Sequence, residues 1–443
     1  MDGIILTEEM KAAIALLEDQ SHRFIWISGR AGTGKSTFLQ YLKDTIRPSN
    51  TVYLAPTAVA ALTIGGQTIH SFFWLDPKEK AYFETRLDAD KERQLFPRLA
   101  AVDTIVIDEI SMVRADILDE IDRRMRKAKR HSDLPFGGTR LILFGDAYQL
   151  PPIKPDQFTY AGELFANQYK SPFFFSSQVL RTRAKKISHI EFTRVFRQNE
   201  EDFLAVLDRC RSGEITESDL DLLQSRVLPE GKKPPASHLV LTAKKDDVQR
   251  LNQYRLNALP GEARSYTALA TGNFADTLND EDLPAPRILK LKLGARIMFT
   301  VNSPERRWAN GALATVIRLE DEKVIVKNET GEFAVEPYVW KKLRYALRSG
   351  QLVEEASDEY RQYPFVLGWA ITIHRAQGRT LEKVFVDFSK GTFAAGQAYV
   401  AISRVTRLEG LLLRTRPRVR DFFINERVTV FLDYIKAGAK AAK

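Results

Sequence analysis

A glycine loop set between an apolar strand and a helix start constrains this chain more than any other feature. Gly29-Arg30-Ala31-Gly32-Thr33-Gly34-Lys35-Ser36-Thr37 fits the pattern G-x-x-x-x-G-K-[ST]. Before it, residues 24–28 read as a short buried strand. After it, Phe38, Leu39, Leu42 and Ile46 recur at helical spacing, which predicts a helix over 37–46. Strand, glycine turn and helix N-terminus together make a cradle: backbone N–H groups curl around phosphate oxygens, and the helix end adds a fixed partial positive charge. Gly32, Thr33, Gly34, Lys35, Ser36 and Thr37 are therefore the candidate triphosphate-binding residues. Lys35 is placed to reach the β- and γ-phosphates and the Ser36 hydroxyl to ligate Mg²⁺. An ordinary glycine turn with a surface lysine would need neither the strand nor the helix.

At 443 residues the chain is too long for one compact core, and two to four domains are expected. A hydrophobic content of 44% and a charged content of 28% are those of a soluble globular protein. The net charge of +9 favours a polyanion partner without specifying one. The single cysteine, Cys210, cannot form an intramolecular disulfide and lies in a helix-like stretch, which predicts a buried thiol. No apolar run is long enough to span a bilayer, and no charged-then-apolar leader opens the chain. A cytoplasmic protein without a membrane partner is expected.

Along the chain, Thr7 can cap a helix over 10–17. A strand over 51–54 runs into Ala55-Pro56-Thr57, followed by Thr68-Ile69-His70-Ser71-Phe72-Phe73. Residues 77–97 are charged and lack a strong apolar period, so 76–100 reads as a small, exposed, wedge-like insertion. A strand over 103–107 leads into Asp108-Glu109, a basic helix covers 115–129, and a strand over 140–144 leads into Gly145-Asp146-Ala147-Tyr148-Gln149. Strands alternating with helices predict an α/β fold with a parallel sheet covered on both faces. Asp108 and Glu109 stand where ligands bind in such sheets, at a strand's carboxyl end. Asp108 is placed to hold Mg²⁺ through a water, Glu109 to orient or deprotonate an attacking water, and Gln149 to sense the γ-phosphate. Two solvated acids at a strand end are the bland alternative; the phosphate loop upstream argues against it.

In the second half, 238–242 and the buried segments within 363–415 read as strands, and 246–259 as a helix, without a second phosphate loop. Residues 312–316 and 323–328 alternate like half-buried strands, with a turn at Asn328-Glu329-Thr330-Gly331. Pro- and charge-rich stretches at 229–235 and 276–286 read as loops. The segment from Val419 onward looks helical and ends in Ala-Lys repeats.

GRAGTGKST, APTAVAALTIGGQTIHSFF, VIDEISM and LILFGDAYQLPPI are similar, in order, to the first four helicase motifs of superfamily one. FTRVFRQ (192–198), WAITIHRAQGRT (369–380) and AYVAISRVT (398–406) are similar to the fourth to sixth. Residues 111–138, ending in PFGG, resemble the signature stretch of the petite-integration-frequency (Pif) helicases, and the resemblance covers about residues 5–425. It implies two RecA-like parallel-sheet domains. The first would comprise 1–75 and 101–199, with a small α insertion at 76–100. The second would comprise 200–303 and 363–443, with a small β-barrel of the Src-homology type inserted at 304–362.

The resemblance further implies an ATP- and Mg²⁺-dependent helicase that moves 5′ to 3′ on single-stranded DNA. Tailed duplexes, with G-quadruplex DNA as a further substrate, would be opened by a protein that is a monomer in solution. Arg197 and Arg404 would be arginine fingers, and Gly378 would let the backbone approach nucleotide or DNA. Pro56, Thr57, Thr68, His70, Phe72, Thr372 and His374 match positions that the family uses on the strand. Hydroxyls and imidazoles suit phosphates and an aromatic ring can stack on a base, although at least one of Phe72, Phe73 and Trp74 is expected in the core. The chain departs from the family at Met10, where a glutamine usually reads the adenine edge. A thioether cannot make the paired hydrogen bonds of an amide. An ATP-driven nucleoprotein remodeller and a RecD-like subunit of a larger complex remain open beside the self-sufficient motor.

Overall fold

The structure, a computed structural model, describes residues 5–46, 49–76, 87–153, 155, 159–182, 184–198, 200–272, 274, 283–389 and 391–441. The chain divides into two compact units. One comprises Met1–Phe196, Leu343–Ser357 and Asn425–Lys443, the other Arg197–Lys342 and Asp358–Ile424. No helix among the described residues is long and apolar enough to cross a membrane.

The first unit begins with α1 (Glu8–Glu18), capped by the Thr7 hydroxyl, which accepts the Met10 N–H at 3.3 Å. There follow β1 (Phe24–Gly29), α2 (Lys35–Thr45), β2 (Thr51–Ala55), α3 (Ala58–Thr63), β3 (Gln67–Thr68) and α4 (Ile69–Phe73). Next come α5 (Ala89–Ala100), β4 (Thr104–Ile107), α6 (Ala115–Lys129), β5 (Arg140–Phe144), α7 (Tyr160–Gln168), α8 (Gln178–Arg181) and β6 (Ile187–Phe192). The six strands form one sheet in the order β3-β2-β4-β5-β1-β6, and every neighbouring pair is parallel. Because such a sheet is covered on both faces, its central strands β4, β5 and β1 are buried along their whole length and mostly apolar. In β1, Ile25 and Ile27 join a core with Phe38 and Leu39 of α2, while Phe24 and Trp26 face a second core with Leu118 and Phe174.

Two sequence expectations are corrected here. The second half of the supposed exposed insertion is α5, which Asp88 caps and which buries Leu95 and Leu99 beside α6. Those two leucines, one helical turn apart, are an apolar stripe too narrow to stand out among charged neighbours. Residues 77–86 lie outside the described residues. The expected placement of 363–443 in one domain also fails at its end. Helix α14 (Glu426–Ala441) belongs to the first unit, with Val428, Phe431, Leu432 and Ile435 in its core and the Phe431 ring stacked 4.3 Å from that of Phe175.

The second unit starts with α9 (Glu201–Ser212) and α10 (Glu217–Gln224), followed by β7 (Leu239–Thr242) and α11 (Lys245–Asn257). Cys210 is buried in α9, as expected. Short strands β8 (Arg264–Thr267), β9 (Leu269–Ala270) and β10 (Ile288–Leu291) precede an antiparallel region. That region consists of β11 (Arg296–Phe299), β12 (Leu313–Leu319), β13 (Val324–Asn328), β14 (Gly331–Val335), β15 (Tyr338–Arg348), β16 (Gln351–Gln362) and β17 (Phe365–Leu367). Five of these strands form a sheet in the order β14-β13-β12-β11-β17. The alternating stretches read at 312–316 and 323–328 fall on β12 and β13, and Asn328 Oδ1 accepts the Thr330 N–H at 2.9 Å in the turn that joins β13 to β14. The stretch at 276–286 lies largely outside the described residues.

The chain closes the second unit with β18 (Ala370–Thr372), α12 (Ile373–Ala376), β19 (Val384–Val386), α13 (Gln397–Ile402) and β20 (Leu411–Leu413). A second parallel sheet runs β18-β7-β19-β20. The tip of the β15–β16 hairpin, 343–357, is counted in the first unit. There the Tyr345 hydroxyl accepts the Tyr53 N–H of β2 at 2.8 Å, and Glu354 pairs with Lys43 of α2 at 3.0 Å.

Candidate nucleotide site and strand contacts

The phosphate loop closes on itself because glycine stands wherever a side chain would collide. A Cβ on Gly29 would lie 2.7 Å from the Phe192 carbonyl and 2.8 Å from Thr33 Oγ1. Gly32 and Gly34 have φ of +84° and +81°, a left-handed backbone that favours glycine. The Thr33 hydroxyl donates to the Arg30 carbonyl at 3.0 Å. Lys35 Nζ lies inside the curl, donating to the Gly29 and Arg30 carbonyls at 2.6 and 2.8 Å. Ser36 and Thr37, in the first turn of α2, are exposed.

Asp108 and Glu109 leave the carboxyl end of β4, two strands from β1 in the sheet. Asp108 is buried, and its Oδ1 accepts the Glu109 N–H at 2.9 Å. Glu109 has φ +51°, a left-handed conformation that costs a non-glycine residue free energy and is typically retained at functional sites. Gly145, at the exit of β5, allows close approach to that turn, since a Cβ there would lie 2.9 Å from the Ile110 nitrogen. The β5 exit can thus lie against the Glu109 turn; Gln149 is buried there, its N–H on the Asp146 carbonyl at 3.0 Å. Burial and the adjacent Glu109 charge push the Asp108 carboxyl up to about 7, with the Glu109 N–H and Lys35 acting against them. A buried carboxylate beside a second acid is stabilised by a cation. Hard oxygen donors, the Asp108 carboxylate and the Ser36 hydroxyl, fit Mg²⁺.

Three threonines expected on the strand share one local role. Thr57, Thr68 and Thr372 follow or end β2, β3 and β18, and each caps a short helix. Their hydroxyls accept the N–H groups of Ala60 at 3.2 Å, Ser71 at 3.3 Å and Arg375 at 3.1 Å. A hydroxyl that accepts from a backbone N–H keeps its own proton to donate outward. Pro56, just before Thr57, is half-buried. Burial holds His70 down at about 4, with Arg114 adding to the effect, and lowers His374 as well. Burial thus favours the neutral form of both imidazoles.

Phe72 is corrected. It is fully buried, edge-on to Phe73 and Tyr345, and presents no face for a base. Trp74, 37% exposed, is the aromatic of this segment that reaches the surface. Two arginines that sequence reasoning missed hold α4 in place. Arg98 of α5 donates to the Phe72 carbonyl at 2.6 Å, and the buried Arg124 of α6 donates to the Phe73 carbonyl and, at 3.3 Å, to that of Trp74. Glu120 orients Arg124 from one turn away at 2.5 Å. The i, i+4 spacing of Glu120 and Arg124 was the available signal, but it reads equally well as a solvated pair.

In the second unit, Arg404 is also corrected. It is 1% exposed, with Nε on the Val400 carbonyl at 2.7 Å, Nη2 on Ser403 Oγ at 2.7 Å, and Nη1 on the Arg379 and Ala376 carbonyls at 3.3 and 3.5 Å. As placed, it braces the turn that contains Gly378, whose φ is +75°, and is not an exposed finger. Arg197 is half-buried and donates to the Ser403 carbonyl at 3.2 Å. Gln198 fastens the same segment through the Ser403 and Val405 carbonyls at 3.2 and 2.9 Å.

A family model described as PIF1-like helicase matches residues 5–221. An ATP-dependent DNA helicase Pif1 of Bdellovibrio bacteriovorus is 31% identical, over 94% of this chain and 89% of its own length. The human ATP-dependent DNA helicase PIF1 is 32% identical over 95% of this chain, which spans 64% of that longer protein. Among solved structures, that of Bacteroides sp Pif1 in complex with ADP-AlF4 has a TM-score of 0.87 at 33% identity, covering 98% of both chains.

Proposed function

The chain belongs to the PIF1-like helicase family and is an ATP-dependent DNA helicase; from that premise we propose that it moves 5′ to 3′ on one strand, opening tailed duplexes and G-quadruplex DNA. The polarity and the G-quadruplex substrate rest on the family resemblance; the observation that most supports coupling hydrolysis to movement on a strand is the order of the first unit's sheet. Nucleotide-side residues leave the carboxyl ends of β1, β4 and β5, and strand-side residues leave those of β2 and β3, on the same edge. Since β2 pairs with β4, the turn that carries Glu109 and the cap at Thr57 are rooted in neighbouring strands. A change at the γ-phosphate thereby has a short, rigid path to the nucleic acid.

In the proposed chemistry, Lys35 and the loop N–H groups hold the triphosphate in line. Glu109 takes a proton from the attacking water as the bond to the β–γ bridging oxygen breaks, and Gln149 positions that water. Ser36 and Asp108 would hold Mg²⁺, which when bound neutralises charge on the β- and γ-phosphate oxygens. Arg197 supplies the finger, with Gly378 on the turn that Arg404 braces. Thr57, Thr68 and His70 hold the strand from the first unit, and Thr372 and His374 from the second. Pro56 stiffens the approach to Thr57, and Trp74 replaces Phe72 as the stacking ring. We read the antiparallel insertion as a small barrel of the Src-homology type that grips DNA, and the protein as a cytoplasmic monomer in solution.

Direction is tested with purified protein on duplexes bearing a single 5′ or 3′ tail. Unwinding of the 5′-tailed substrate alone is expected, and unwinding only from a 3′ tail would refute the polarity. Strand affinity should fall steeply with salt, because Lys and Arg contacts to phosphate release counterions, and should vary little with base sequence. Since His70 is neutral, His70→Ala should weaken DNA-stimulated ATPase while leaving the salt slope unchanged. A slope reduced by about one in that variant would mean that His70 binds phosphate as a cation.

A further inference from the structure

We propose that the site accepts nucleoside triphosphates with little regard to the base, because the wall beside the phosphate loop can stack on a ring but cannot read its edge. The inference rests on the triphosphate reading above and concerns the part of the substrate that the loop does not hold. The base is tied to the α-phosphate through one ribose, so it must lie against whatever flanks the loop. A Cβ at Gly34, the cap of α2, would lie 3.2 Å from Met10 Cε and 3.7 Å from the Phe196 ring, so the exposed Phe196 and the tip of Met10, otherwise buried in the first unit's core, flank the loop there. Phe196 is fastened to the loop itself, its N–H donating to the Gly32 carbonyl at 2.8 Å. Phe196 is 42% exposed, and the Arg194 guanidinium stands 5.1 Å from the centre of its ring. An exposed aromatic ring clamped to a phosphate loop is a platform for a flat ligand.

What this flank lacks, among the described side chains, is a paired donor and acceptor. Met10 offers a thioether, a weak acceptor without a proton. The Thr7 hydroxyl caps α1 on the Met10 N–H and donates its own proton to the Glu9 carboxylate. The Glu9 carboxylate accepts the Thr193 hydroxyl, which holds it ionised and acceptor-only. Every base presents a π face, whereas bases are told apart by the donors and acceptors on their edges. A pocket built to hydrogen-bond its ligand rejects analogues by about 10⁴–10⁵, whereas apolar contact discriminates by only about 10–200.

The test is steady-state hydrolysis of ATP, GTP, CTP and UTP by the full chain with saturating single-stranded DNA. ATP and GTP should agree in kcat/KM within about tenfold, with differences carried by KM, and the smaller pyrimidines should fall within about 200-fold. Phe196→Ala should raise KM for all four by about tenfold at nearly constant kcat, and Phe196→Tyr should restore it. Rejection of GTP by a thousandfold or more would overturn base indifference, as would a Phe196→Ala effect confined to ATP. Either result would leave the triphosphate site standing. If none of the four were hydrolysed, the reading of the site itself would fail.

Discussion

Glu109→Gln is expected to bind ATP and DNA about as well as the parent protein while hydrolysing ATP about 10²–10⁴-fold more slowly, the usual worth of a positioned general base. The substitution keeps the size and the left-handed backbone of the residue, so the turn after β4 should survive it. It removes the group that takes the water's proton. It also removes one of the two causes that push the Asp108 carboxyl up, leaving Asp108 easier to ionise and the affinity for a cation-bound triphosphate no weaker. Lys35→Ala should behave differently, losing affinity and turnover together, because that ammonium both holds the phosphates and neutralises their charge. Nucleotide binding followed by fluorescence, beside single-turnover hydrolysis, separates the two variants. Native-rate hydrolysis by Glu109→Gln would remove Glu109 from the chemistry.

The parts of the molecule legible in its sequence are those in which one residue type has no substitute. Gly29 and Gly34 are readable because a side chain there would collide or strain the loop, and β1, β4 and β5 because burial on both faces leaves unbroken apolar runs. Leu95 and Leu99 were hidden because two apolar residues in a charged helix form too weak a pattern. Phe72 was misread because an aromatic beside a candidate strand contact looks the same whether it faces a base or a core; only the neighbours Phe73, Tyr345 and Arg98 decide, and they come from distant parts of the chain. The packing of α14 on Trp26 and Phe175 joins residues separated by about four hundred and about two hundred and fifty positions, which no local period encodes. Arg404 shows the same limit for polar groups: a motif predicts that an arginine matters, while the carbonyls around it determine how.

Replacing Arg197 and Arg404 should therefore give two different losses. Arg197→Ala is expected to reduce DNA-stimulated turnover by about a thousandfold, the low end for an arginine finger, with an unchanged melting temperature. Its guanidinium is half-buried, and the bond to the Ser403 carbonyl that it would give up is a long 3.2 Å. Arg404→Ala should destabilise the fold, because the Arg379 carbonyl loses its buried donor and cannot recruit water in its place, while those of Ala376 and Val400 keep only the Arg379 N–H and the Ser403 hydroxyl. With about 1–3 kcal/mol for the one buried carbonyl left unpaired, and less for the two that keep a second donor, a loss on the order of 2 kcal/mol is expected, enough to shift thermal unfolding by a few degrees. Turnover should fall with it, since the braced turn carries Gly378. Arg404→Lys should restore little, because one ammonium cannot span acceptors that a planar fork reaches in several directions. Circular dichroism melts beside ATPase assays on the folded fraction would distinguish the roles. An Arg404→Ala protein that melts like the parent but has lost a thousandfold in turnover would contradict the brace, and would mean that the guanidinium leaves its carbonyls to meet the nucleotide.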